Sequence, residues 1–129
     1  MILMKKEDDV NLNWYEHFKE GKELVLATCS KKGEPNANIT LSLGFVDNKL
    51  LIADCQMHTT IKNLKENNKI CIVAGYYKIK GHAELFTSGE YFDICLKKIT
   101  SPQPRFKPKT AILVTVDEVF DLDKVVKIK

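Results

Sequence analysis

Arginine is almost missing from this chain: of 20 basic residues only Arg105 is an arginine, and the rest are lysines. Those lysines alternate with glutamates and aspartates along the chain, as on a solvated surface. The net charge is only +3. A nucleic-acid footprint gathers its basic residues on one face or along one helix, and no such gathering is visible. Long apolar runs are missing too. The opening Met1–Met4 stretch is cut off by Lys5, Lys6, Glu7, Asp8 and Asp9. No signal-peptide core or membrane span is therefore expected, and the expected location is the cytoplasm.

Paired cysteines are absent as well. Cys29, Cys55, Cys71 and Cys95 are widely and irregularly spaced, with no Cys-x-x-Cys pair and no cysteine–histidine cluster. Neither a structural zinc nor a redox dithiol is suggested, and free buried thiols in a reducing compartment are expected. His17, His58 and His82 each stand without a ligand partner at helical spacing, so no metal site is expected. There are no repeats and no low-complexity segment. The 129 residues read as one domain, 1–129.

What remains is alternation. A short helix is expected over about Asn11–Glu20, with Leu12, Trp14 or Tyr15, and Phe18 on one side and Gly21 as its stop. ELVLATCS is a strand, and Lys31–Pro35 a turn. NANITLSLGFV then alternates strictly, with Ala37, Ile39, Leu41, Leu43 and Phe45 on one face and Asn36, Asn38, Thr40, Ser42 and Gly44 on the other. VDNK is a tight turn into KLLIADC, so these two strands are expected to be hairpin neighbours. KICIVAGYY is apolar enough to be buried on both faces. KIKGHAELFT is a further strand with Gly81 as a candidate bulge. SGEYFDICLKKI is an amphipathic helix, with Ser88 as its cap and Cys95 and Ile99 on its stripe. TSPQPRFKP is an irregular connection, TAILVTV an apolar strand, and EVFDLDKVVKIK ends the sheet. The fold class is mainly β: an antiparallel barrel of six or seven strands with two or three short helices.

Two features carry chemistry. Asparagine is a poor strand former, yet Asn36 and Asn38 share a face with Thr40 and Ser42, and that face has no Lys or Glu. Small neutral hydrogen-bonding groups on a flat sheet suit a planar heteroaromatic ligand. An exposed strand near a sheet edge explains the same letters. The second feature is HTTIKN, which follows a strand directly. A helix start leaves backbone N–H groups unpaired and carries partial positive charge, so it binds phosphate readily. Thr59 and Thr60 add hydroxyls, Lys62 a charge and Asn63 an amide. The plainer alternative is a threonine cap with nothing bound. Together, the two features suit a phosphorylated planar cofactor.

These residues resemble the flavin mononucleotide (FMN)-binding split barrels related to pyridoxamine 5′-phosphate oxidase, in particular the small bacterial FMN-binding proteins. The likeness runs from about Leu24 to Leu122, through LATCSKKGEP, NANIT, the segment Met57, His58, Thr59, Thr60 and Asn63, then KGHA, TSGEYFD and AILVTV. It implies a split β-barrel, a homodimer and FMN at the subunit interface. It also implies a phosphate held by Thr60 with its neighbours His58, Thr59, Lys62 and Asn63. The ring would lie along Asn38, Ile39 and Thr40, and the ribityl chain along Asp54, Cys55 and Gln56. No separate catalytic residue is implied, since the flavin itself carries the redox chemistry of an oxidoreductase or electron-transfer protein. The family has lysine where this chain has Thr59. The oxidase proper has arginine-rich motifs that a chain with one arginine lacks. A deazaflavin or haem in the same barrel is an alternative ligand. A small single-stranded nucleic-acid-binding barrel using GYYKIKG is a more distant one.

Overall fold

The computed structural model describes residues 13–100 and 107–129. Leu12 and most of the proline-rich connection, including Arg105, lie outside the described residues. Eight strands are formed among those described: β1 (Glu23–Cys29), β2 (Pro35–Leu41), β3 (Phe45–Val46), β4 (Lys49–Asp54), β5 (Lys69–Ala74), β6 (Tyr77–Phe86), β7 (Thr110–Asp121) and β8 (Val126–Lys127). Two of them, β3 and β8, are only two residues long, so six strands make the wall. Helices α1 (His58–Glu66) and α2 (Glu90–Thr100) join them, and residues 13–16 make a further helical turn. The antiparallel order is β2-β1-β5-β6-β7-β4-β3, with β8 pairing β7.

The path begins and ends on neighbouring parts of one chain segment, and this closes the barrel. NANITLSLGFV is not one straight strand but turns a corner at Ser42–Gly44. The Ser42 carbonyl accepts the Gly21 N–H at 2.8 Å, and the Ser42 N–H donates to Lys22, on the β1 side. One residue later Leu43 donates to Leu51 at 2.9 Å, and Leu51 donates to Gly44, on the β4 side. The Ser42 hydroxyl donates to the Phe18 carbonyl at 2.7 Å and accepts the Gly44 N–H, so the corner leaves no buried donor open. Gly44 sits at φ +90, a conformation that disfavours any other residue. The expected hairpin across VDNK is therefore between β3 and β4, with Asp47 and Asn48 both at positive φ. The strand of asparagines, β2, pairs instead with β1 and ends as a free edge.

Alternation fills the barrel with Leu24, Leu26, Leu50, Ile52, Ile70, Ile72, Ile79, Ile112, Val114 and Val119, plugged by Trp14 and Phe18. A second cluster lies outside the wall, where α2 packs on β4 and β7 through Cys95, Leu51, Ala53, Ala111 and Leu113. That cover buries β4 on both faces and explains its unbroken apolar run. The same expectation fails for β5. No helix among the described residues covers its outer side, and Cys71 and Val73 remain half-exposed. Gly81 does mark a bulge, where the β6–β7 register shifts. A Cβ there would lie 2.0 Å from the Thr115 carbonyl oxygen, so any side chain would force the strands apart. At α2 the Asp93 N–H bonds to the Gly89 carbonyl, which puts Gly89 rather than Ser88 at the helix start.

Candidate functional site

The turn from β4 into α1 is built around Asp54. Its side-chain Oδ1 accepts the Met57 N–H at 2.7 Å, and its carbonyl accepts the Lys109 N–H at 2.7 Å, just before β7. The turn therefore needs neither glycine nor proline, because a carboxylate bonding its own backbone bends the chain. The helix then begins at His58, with Met57 in the capping position. Thr59 and Thr60 lie inside the first turn, so neither is the cap, and Met57 offers no side-chain bond. The first helical bond runs from the Ile61 N–H to the Met57 carbonyl at 2.9 Å. The N–H groups of His58, Thr59 and Thr60 are left with no backbone partner among the described residues. There is no acidic side chain in the first turn to neutralise them.

The inner side of α1 explains the asparagines. The hydroxyl of Thr60, a residue only 1% exposed, accepts the Asn38 amide at 2.6 Å and the Asn36 amide at 3.3 Å. One turn on, the Asn63 amide donates to the Thr28 hydroxyl on β1 at 3.1 Å. These bonds fasten the helix across β1 and β2, and every buried side-chain polar atom among the described residues has a partner. The polar face of β2 thus looks toward α1. Its apolar face looks outward, with Ile39 68% and Leu41 56% exposed.

On the other side of α1 lies a cleft of about 440 Å³ lined by Asp54, Gln56, His58, Lys62, Lys65, Lys109 and Thr110, among others. Its lysines outnumber its single carboxylate, and none of the three forms an ion pair with another described residue. Burial, and then the Asp54 carboxylate, push the Cys55 thiol above its ordinary range, and the Lys109 ammonium pulls the other way. Burial also raises Cys71, and it raises Cys95 to about 12. These three are protonated thiols at neutral pH, not nucleophiles.

The sequence-derived residues fall into three sets. Gln56, His58, Thr59 and Lys62 are exposed around the helix start, with Cys55 half-buried and Asp54 buried beneath them. Thr60, Asn63, Asn38 and Thr40 belong to the α1–β2 side. Ile39 lies on the opposite face of β2 from Asn38 and Thr40. Asn36, Lys65 and Lys109 join the site without having been singled out as site residues. Asn36 was visible on the polar face, whereas Lys109 arrives only through the long-range pairing of Asp54 with Thr110. A larger cleft, about 680 Å³, lies on β1, β5, β6 and β7 around the His82–Asp117 pair at 2.9 Å. It shares no residue with the helix start.

This geometry can be set beside known proteins. A family model described as pyridoxamine 5′-phosphate oxidase matches residues 15–123. The chain belongs to that family. Another protein similar to it is the uncharacterized protein MJ0282 of Methanocaldococcus jannaschii, 32% identical over 111 residues, covering 80% of this chain and 74% of that one. Among solved structures, the pyridoxamine 5′-phosphate oxidase-like barrel described here is similar to HupZ of Group A Streptococcus, with a TM-score of 0.71 at 23% identity over 95% of this chain and 96% of that one. It is similar also to an FMN-binding protein from Syntrophomonas wolfei, with a TM-score of 0.69 at 17% identity over 92% of both chains. At these identities the two structures establish the shared fold. No helix among the described residues is long and apolar enough to cross a membrane.

Proposed function

We propose that this chain binds FMN and works as a homodimeric flavoprotein, an oxidoreductase or electron-transfer protein, in the cytoplasm. The observation that carries this is the start of α1. Three N–H groups stand open, no side chain caps them, no acidic residue lies in the first turn, and three lysines against one carboxylate line the adjoining cleft. Such an end is made for a phosphate. Beside it runs β2, a free edge whose outward backbone groups have no strand partner among the described residues and suit the donors and acceptors of a flavin ring. The residues present therefore fit the cofactor. His58, Thr59, Thr60, Lys62 and Asn63 form the phosphate end, Asp54, Cys55 and Gln56 the stretch between, and Asn38, Ile39 and Thr40 the ring side. In this arrangement Thr60 and Asn63 act mainly from behind, holding β2 and α1 at a fixed separation, while the exposed Thr59 and the backbone face the ligand.

When bound, the flavin supplies the electron transfer, and the protein supplies binding, orientation and electrostatics. The protonated thiols at 55, 71 and 95 offer no competing nucleophile. A second copy would cover the outer face of β2, β1 and β5, where Ile39, Val25 and Val73 fall in one cross-strand row and Ala37, Ala27 and Cys71 in the next. With a single arginine in the chain, the arginine-rich motifs of the oxidase itself are missing, and that activity is not proposed.

The test is a titration of the purified protein with FMN, followed by the visible spectrum. Saturable binding with a perturbed flavin band is expected. Absence of saturable binding defeats the proposal, and a deazaflavin or haem spectrum in the copurifying material would replace FMN with that ligand.

A further inference from the structure

We propose that Lys109, on the approach to β7, is the residue that makes this site prefer a phosphorylated flavin; the inference rests on the flavin-binding reading above. Lys109 is far from α1 in sequence, yet its backbone is held beside the helix start. Its N–H bonds to the Asp54 carbonyl at 2.7 Å, the buried Pro108 precedes it, and Thr110 then pairs with Asp54 in the sheet. Lys109 lines the cleft that Gln56, Met57 and His58 also line. The Lys109 side chain is exposed at that cleft, and its positive charge acts on the Cys55 thiol against the rise caused by burial and by Asp54.

The other two lysines of the cleft belong to α1 itself. Lys62 is one turn into α1, and Lys65 stands in the last turn, where the helix dipole already favours a cation. The one carboxylate of the cleft, Asp54, is buried, accepts the Met57 N–H through Oδ1, and forms no ion pair with Lys109. Thr59 is exposed in the first turn and carries no charge. A positive side chain from a different part of the fold thus shares the cleft beside the open N–H groups, and under the proposal Lys109 takes the electrostatic role of a first-turn lysine.

The experiment compares FMN with riboflavin, which differ only in the phosphate, across the wild type, Lys109→Gln, Thr59→Lys and the double variant. Wild type should prefer FMN. Lys109→Gln should weaken FMN about tenfold and leave riboflavin unchanged. Thr59→Lys should restore FMN binding in the Lys109→Gln background while adding little to the wild type. An unchanged FMN-to-riboflavin ratio in Lys109→Gln, or equal weakening of both flavins, overturns the assignment while leaving flavin binding intact. A protein that binds neither flavin defeats the flavin reading instead. Lys109 is then judged by titrating pyrophosphate and following the amide resonances of His58, Thr59 and Thr60. Shifts that the Lys109→Gln variant abolishes support it, and shifts that it leaves alone, or no shifts in the wild type, overturn it.

Discussion

The barrel wall has two apolar outer faces with opposite fates. On β4 and β7, Leu51, Ala53, Ala111 and Leu113 are covered by α2, and Cys95 at the centre is 0% exposed. On β2, β1 and β5, the equivalent outward positions carry Ile39, Leu41, Val25 and Val73, and nothing in the chain's described residues covers them. An uncovered row across three strands differs from scattered surface leucines, because contiguous apolar area marks an interface. The covered face belongs to the stability of one chain. The bare face is the one that the proposed function gives to a second chain, and it lies on the strand that also edges the proposed flavin site.

Three substitutions, in descending order of effect, and then one pH dependence break that contrast. Leu113→Ala on the covered face should cost about 2–5 kcal/mol in urea unfolding, since it opens a cavity under α2. Val25→Asp, at the centre of the bare row and 38% exposed, should leave the circular dichroism of the barrel intact. It should also raise the dimer dissociation constant in sedimentation equilibrium by about 100-fold, or roughly 3 kcal/mol. Thr60→Val should cost about 1–3 kcal/mol by leaving the Asn36 and Asn38 amides without their acceptor, and should loosen FMN along with β2. The fourth is a pH dependence. Burial, then Cys55 and Asp54, raise the Cys95 thiol from 9.0 to about 12. The unfolded chain therefore loses that proton first as pH rises. This contribution to stability is complete below about pH 9 and declines through about pH 12, by up to roughly 1.4 kcal/mol per pH unit. Cys95→Ala should flatten that part of the urea-stability profile.

Much of the fold was legible in the letters. Strand positions followed from alternation, the VDNK turn from its residue types, and the Gly81 bulge from a glycine inside a strand. The two faces of β2 were also separable, because a period of two sorts side chains into two sets. Which set faces inward was not legible. Asn36 and Asn38 turn toward α1 because Thr60 waits there as an acceptor, and that contact depends on where the helix crosses the barrel. The corner at Ser42–Gly44 was likewise hidden inside an unbroken alternation, so β2 was assigned the neighbour that belongs to β3. For β5, an apolar run was read as burial on both sides, and the missing information was which strands α2 would cover. At the candidate site, the strand running into a helix start was legible, whereas the place of Lys109 in the adjoining cleft was not, because only the pairing of β4 with β7 brings it there.

The central claim joins the two halves of the contrast: the open helix start takes FMN, and the bare face takes a second copy. Sedimentation of the FMN-loaded protein, followed through the flavin's own visible absorbance, tests both together. The expected result is flavin moving with a species of two chains at one flavin per chain. Flavin left behind in the slow boundary, or carried by a single 14.7 kDa chain, would contradict it.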